Sequence, residues 1–195
     1  MGFIVCRQLH RLCLLIILLG LSFQAYAQQR HSDGTDDVLE YMPYASVFAL
    51  KACRITSKDD WTKLAATTAA SWVASAGTAY LLKHSIKETR PDGTDQKSFP
   101  SGHACIAFAG ATILHKEFSQ VSPWISVTGY GVATFVAVDR VLKDRHHWYD
   151  VVAGAGIGLA ASEATWWLSR KVLKSSNDQV SIGFSGNTLD LAVTF

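Results

Sequence analysis

Charge is the scarcest feature of this chain: Asp, Glu, Lys and Arg make up 17% of 195 residues, against about a quarter in an ordinary soluble domain. Eighteen basic and sixteen acidic residues leave a formal net charge of +2, with no continuous basic stripe, which excludes a nucleic-acid binder. Proline occurs four times and cysteine four times. No Cys/His spacing matches a zinc site. Internal repeats, low-complexity tracts and a second composition regime are also missing, so neither a solenoid nor a two-domain chain is expected. What is abundant is apolar sequence, 49% of residues, giving a mean hydropathy of +0.14. That balance suits a membrane-associated protein or a tightly helical one.

The first 27 residues read as a signal peptide: Arg7 and Arg11, the apolar run Leu12 to Leu21, then Ala25-Tyr26-Ala27 ahead of Gln28. An uncleaved anchor is the alternative, and either one carries the residues after it out of the cytoplasm. Cleavage after Ala27 removes Cys6 and Cys13. Cys53 and Cys105 then remain in apolar helical sequence, expected as buried thiols, with a disulfide as the alternative in an oxidising compartment.

The body, residues 28–174, predicts an all-α fold, an antiparallel bundle of about five helices. Asp37 with Glu40 resembles a capping box opening a helix to about Cys53, and Ser57 with Asp60 a second one. The second opens a long helix whose Leu64 to Leu82 run carries no charge, about the length of a membrane crossing. Pro100-Ser101 starts a helix to about Phe118. Ser122-Pro123 starts another to about Leu142, and the last runs from about His146 to Leu173. Residues 175–195 alternate around Ser185-Gly186-Asn187-Thr188 as a short β-hairpin would.

Chemistry concentrates between Lys83 and Asp150, in three clusters. Lys83 is followed after six residues by Arg90-Pro91; Pro100-Ser101-Gly102-His103 comes next; Arg140 is followed after five residues by His146 and after three more by Asp150. Arginine offers a planar fork to two phosphate oxygens and lysine a compact charge. Ser101 and Gly102 fall where a helix begins, so unpaired amides and the positive end of the helix dipole face an anion there. His146 and Asp150, four apart at a helix start, share one face, so that the carboxylate can orient an imidazole able to attack phosphorus. Taken singly, each has a plainer reading: a solvated cation, an ordinary serine cap, an i,i+4 pair.

In this order and spacing, the three clusters resemble the type 2 phosphatidic acid phosphatase superfamily, which also holds bacterial class A acid phosphatases and vanadium-dependent haloperoxidases. The resemblance covers Lys83 to Asp150 and, more loosely, the helices from about Asp60 to Leu173. It implies that His146 is the nucleophile, forming a phosphohistidine with Asp150 as its partner, and that His103 protonates the leaving oxygen and later activates water. It further implies that Lys83, Arg90, Ser101, Gly102 and Arg140 bind phosphate, and that neither a metal nor another cofactor is needed. One position departs from the family pattern: where a serine usually precedes the arginine of the third cluster stands Asp139, a carboxylate able to steer Arg140 or to weaken anion binding.

The expected function is a metal-independent phosphatase of the bacterial envelope acting on a lipid phosphate or pyrophosphate. A soluble periplasmic acid phosphatase acting on small esters, and an inert anion-binding envelope protein, are the alternatives. His146 is expected neutral and His103 charged, giving a bell-shaped pH profile. Cations at the other end of the bundle, Lys51, Arg54, Lys58, Lys63, Arg170, Lys171 and Lys174, point to a membrane-associated protein whose site faces the periplasm.

Overall fold

The computed structural model describes residues 34–177, 180–185 and 188–193, with side chains up to 172 apart from position 35. The signal-peptide expectation for residues 1–27 lies outside the described residues. Six helices are found among those described: α1 (Gly34–Leu39), α2 (Met42–Ala52), α3 (Trp61–Ser85), α4 (Gly102–Phe118), α5 (Pro123–Leu142) and α6 (Trp148–Asn177). Beyond α6 the backbone of Val180–Ser185 pairs antiparallel with that of Thr188–Val193.

Helix α4 is the axis of the fold. Its residues are buried on almost every side, from Ala104 and Cys105 to Glu117 and Phe118, as expected for a helix apolar all round. It packs against α2, α3, α5 and α6. Leu64 of α3, Ile113 and Phe118 of α4, Val47 of α2 and Ile125 of α5 meet in the largest apolar cluster. Two glycines let α6 lie directly on α4. A Cβ on Gly154 would stand 2.3 Å from the Ser101 carbonyl oxygen, and one on Gly158 2.2 Å from that of Cys105. Both distances are well inside van der Waals contact, so only hydrogen fits there.

The caps of α4 and α5 follow the sequence. Ser101 accepts from the Ala104 N–H at 3.5 Å, and Ser122, ahead of Pro123, from the Trp124 N–H at 3.3 Å. Elsewhere the expectations need correction. The single helix expected to start at Asp37 is broken into α1 and α2, with Pro43 in the first turn of α2. Asp37 and Glu40 turn toward His103 instead of capping anything. The cap of α3 is Asp60, which accepts from the Lys63 N–H at 3.3 Å, while Ser57 donates to the Asp59 carbonyl. Cys105 is buried but Cys53 is exposed, and both are free thiols.

Helix α3 is turned inside out relative to a soluble helix. Its buried face carries Thr67, Thr68, Ser71 and Ser75, with Ser71 Oγ 3.1 Å from Tyr44 OH. Trp72, Val73, Tyr80 and Leu81 point outward. Those hydroxyls explain why the charge-free run is not the most membrane-like segment. Among the described residues the one helix long and apolar enough to cross a membrane is α5. At the end of the bundle remote from the three clusters, Arg170 bonds Asp59 at 2.9 to 3.0 Å, Glu117 accepts from the Asp59 N–H at 3.1 Å, and Lys116 pairs Glu163 at 2.8 Å.

Candidate active site

The last turn of α3 carries Lys83, whose ammonium donates to the Lys97 carbonyl at 2.8 Å. Burial, and then the neighbouring charge of Arg90, lower its pKa to about 8. The loop after α3 is stapled to the α5–α6 junction. Arg145 bonds Asp92 at 3.0 Å and the Asp92 N–H donates to the Asp144 carbonyl at 3.1 Å. Within that loop Asp95 holds the Arg90 guanidinium at 2.8 Å.

At the start of α4, the Ser101 N–H donates to the Asp150 carbonyl at 3.0 Å, which ties the second cluster to the third. A Cβ on Gly102 would meet nothing within 4 Å, so this helix N-terminus opens on space that an anion can enter. His103 Nε2 lies 2.8 Å from Asp37 Oδ1, and its Nδ1 3.9 Å from Glu40 Oε2. Loss of solvent, then the charge of Arg140, lower the His103 pKa, opposed by Asp37 and Asp36. The charged imidazole expected from the sequence is therefore disfavoured until further negative charge arrives.

The end of α5 supplies Arg140, 3% exposed, with Nη1 2.9 Å from Asp36. Asp139, in the position of the family's serine, pairs with Lys143 at 2.8 Å. The turn after α5 brings the N–H groups of Arg145 and His146 onto the Arg140 carbonyl, at 3.1 and 3.3 Å. His146 is thereby buried just before α6, its side chain 2% exposed. Its pKa is pulled down to about 3, first by burial and then by the charges of Lys83, Arg90 and Arg140. At neutral pH this imidazole is uncharged, as a nucleophile must be, and three cations from two clusters converge on it.

Asp150 is not the simple i,i+4 partner that the spacing suggested, because α6 begins only at Trp148. Its Oδ2 accepts from the His147 N–H at 2.9 Å and from the Ser98 hydroxyl, with His147 Nδ1 at 3.3 Å. His146 Nδ1 stands at 3.8 Å, beyond a hydrogen bond. The carboxylate thus closes the first turn of α6 as a capping-box acid does, and it holds His146 indirectly through that turn.

All eight residues singled out by sequence lie at one end of the bundle. Sequence reading missed Ser98, Asp36 and Asp37 as members of the site. Ser98 had a usable signal, a small hydroxyl residue just ahead of Pro100-Ser101-Gly102-His103; the aspartates act only through long-range contacts. Two trios of imidazole and carboxylate groups, Asp37, Glu40 and His103, and Glu88, His147 and Asp150, each bring their polar atoms within 4.8 Å.

The sequence pattern of the PAP2 superfamily matches residues 60–174. A Porphyromonas gingivalis protein named lipid A 1-phosphatase is 34% identical over 140 residues, 71% of this chain and 32% of that protein. Lipid phosphate phosphatase 1 of Saccharomyces cerevisiae is 36% identical over 73 residues, 36% of this chain and 27% of that protein. The chain thus spans a third or less of the length of these curated relatives. Among solved structures, LpxE of Aquifex aeolicus matches with a TM-score of 0.48 at 21% identity, over 76% of this chain and 94% of that one. With the pattern matching more than half of its length, and the three clusters gathered at one end of the bundle, the chain belongs to the PAP2 superfamily.

Proposed function

We propose that the protein is a metal-independent phosphatase of the bacterial envelope that removes phosphate from a lipid phosphate or pyrophosphate through a phosphohistidine. The observation that carries this reading is His146: buried, uncharged at neutral pH, and surrounded by the charges of Lys83, Arg90 and Arg140. A ring nitrogen of His146 attacks phosphorus. The ester P–O bond breaks, and its electron pair leaves on oxygen, which takes a proton from His103. Water then attacks the phosphorus of the phosphohistidine while His103 accepts the water's proton; the P–N bond breaks, its electron pair returns to the His146 nitrogen, and inorganic phosphate departs. The fixed cations, the Ser101 hydroxyl and the Gly102 amide stabilise the transferring group without having to reorganise. A phosphate dianion bound beside His103 favours the charged imidazole that the first step needs.

The lipid character of the substrate is supported by the outer surface. The apolar outward face of α3, the apolar length of α5 and exposed Trp124, Trp148 and Trp167 suit contact with a membrane. Arg170 lies over Trp166 at 4.0 Å and Lys171 over Trp167 at 3.8 Å, a combination suited to the lipid headgroup level. These cations lie at the end of the bundle away from the site, which supports a site facing the periplasm. The names of the relatives, a lipid A phosphatase and a lipid phosphate phosphatase, point the same way.

The test is phosphate release by the purified full chain from lipid phosphates and pyrophosphates in detergent, compared with soluble phosphate esters. Higher kcat/KM on the lipids is expected. Preference for soluble esters would favour a small-ester acid phosphatase, and no turnover of any phosphate would favour an inert anion-binding protein.

A further inference from the structure

Helix α1 belongs to none of the three clusters, yet both of its aspartates reach the site. Asp36, 3% exposed, bonds Arg140 at 2.9 Å and Lys143 at 2.8 Å, which pins the short helix against the end of α5. Asp37 then meets His103 Nε2 at 2.8 Å across 66 residues of sequence. A carboxylate on one imidazole nitrogen fixes the ring plane, and it leaves the other nitrogen, Nδ1, outside hydrogen-bond distance of its nearest carboxylate, Glu40 Oε2 at 3.9 Å, as the one able to exchange a proton.

We infer that Asp37 is a positioning residue for the reaction, orienting the imidazole of His103 and sustaining its protonated form. The inference rests on the phosphatase reading for its consequence, though not for its geometry. The charged groups acting on the ring are Asp36 and Asp37 on α1, Glu40 in the turn after it, and Arg140 on α5. Burial and Arg140 lower the pKa of His103, while the hydrogen bond and the charge of Asp37 raise it. Removing that carboxylate therefore lowers the pKa further, and His103 loses its proton at a lower pH.

An opposing account of the same contacts is a brake. In that account the aspartates occupy cationic groups meant for phosphate, and their removal would speed the reaction. Asp37→Asn separates the two, and the substitution is mild because the Asp37 side chain is 59% exposed.

The experiment follows the His103 imidazole by NMR titration in the full chain, assigned with His103→Gln. Alongside it, kcat and KM are measured against pH on a soluble phosphate ester for wild type, Asp37→Asn and Asp37→Glu. The inference expects the His103 midpoint and the alkaline limb of kcat both to move to lower pH in Asp37→Asn. At neutral pH kcat should fall on the order of tenfold, part of the 10²–10⁴ that a proton-transferring group contributes, with KM nearly unchanged and with most of the loss recovered in Asp37→Glu. An unmoved His103 midpoint, or a rise in kcat on losing the carboxylate, overturns it. The titration decides the inference without turnover, whereas a wild-type chain that hydrolyses nothing counts against the phosphatase reading.

Discussion

Two imidazoles with two carboxylates sit at one end of this bundle, and the two regions solve opposite problems. At the start of α4, His103 meets Asp37, 66 residues away in sequence, at 2.8 Å, with side chains 21% and 59% exposed. At the start of α6, His146 and Asp150 are four residues apart yet 3.8 Å from each other, 2% and 0% exposed. In the wetter region the carboxylate bonds the ring and supports its charge. In the dry region the carboxylate is taken up by Ser98 and the His147 N–H, and burial beside three cations keeps the ring neutral. An acid and a nucleophile made from one residue type are thus separated by environment alone.

The largest effect expected is on the dry side. His146→Ala should lower kcat by at least about 10³-fold, since no other group can carry the phosphoryl. The comparison breaks if His103→Ala is the more damaging of the two in a single-turnover experiment. Next comes the contact that holds both regions together. Gly154→Ala puts a Cβ 2.3 Å from the Ser101 carbonyl oxygen, and overpacking of this kind costs about 1–3 kcal/mol. A lowered melting temperature, with kcat reduced out of proportion, is the expected result.

Ser98→Ala should be milder. It takes one donor from a fully buried carboxylate, a loss of about 1–3 kcal/mol, to be read as reduced stability to denaturant and a roughly tenfold lower kcat at nearly constant KM. The pH profile sharpens the contrast without any substitution. The kcat/KM should rise above about pH 3 as His146 becomes neutral. It should fall on the alkaline side as His103 loses its proton below its ordinary value, and Lys83, at about 8, adds to that decline. The optimum therefore lies on the acid side of neutral, and a flat profile from pH 4 to 9 would remove the division of labour. The smallest effect belongs to the rim: Asp139→Ser restores the family's residue and removes the Lys143 pair and the contact with Asp36, the pair being a partly exposed bridge worth under about 1 kcal/mol, so activity should change less than twofold.

What could be read ahead of the structure was local. Ser101 and Ser122-Pro123 marked the starts of α4 and α5 because a cap and its amide lie within three residues of each other. The three clusters could be read because spacing along the chain survives folding. Asp37 and Glu40 misled for the same reason: they have capping spacing, but their partner, His103, is 66 residues away for Asp37. The start of α6 was placed too early because Asp150 reaches back to the His147 N–H and leaves His146 outside the helix. Gly154 and Gly158 look like small residues in an apolar helix until α4 lies across them. Contacts between distant segments have no spacing to betray them, and they decide how Asp37, Ser98 and Asp150 are used.

The central claim is that His146, and no other residue, carries the phosphoryl group. Rapid quench under alkaline conditions of the full chain turning over a ³²P-labelled phosphate ester, followed by peptide mapping, tests it directly. The account predicts an acid-labile label on His146 that is absent from His146→Ala. Label on another residue, or undiminished hydrolysis by His146→Ala, would contradict it.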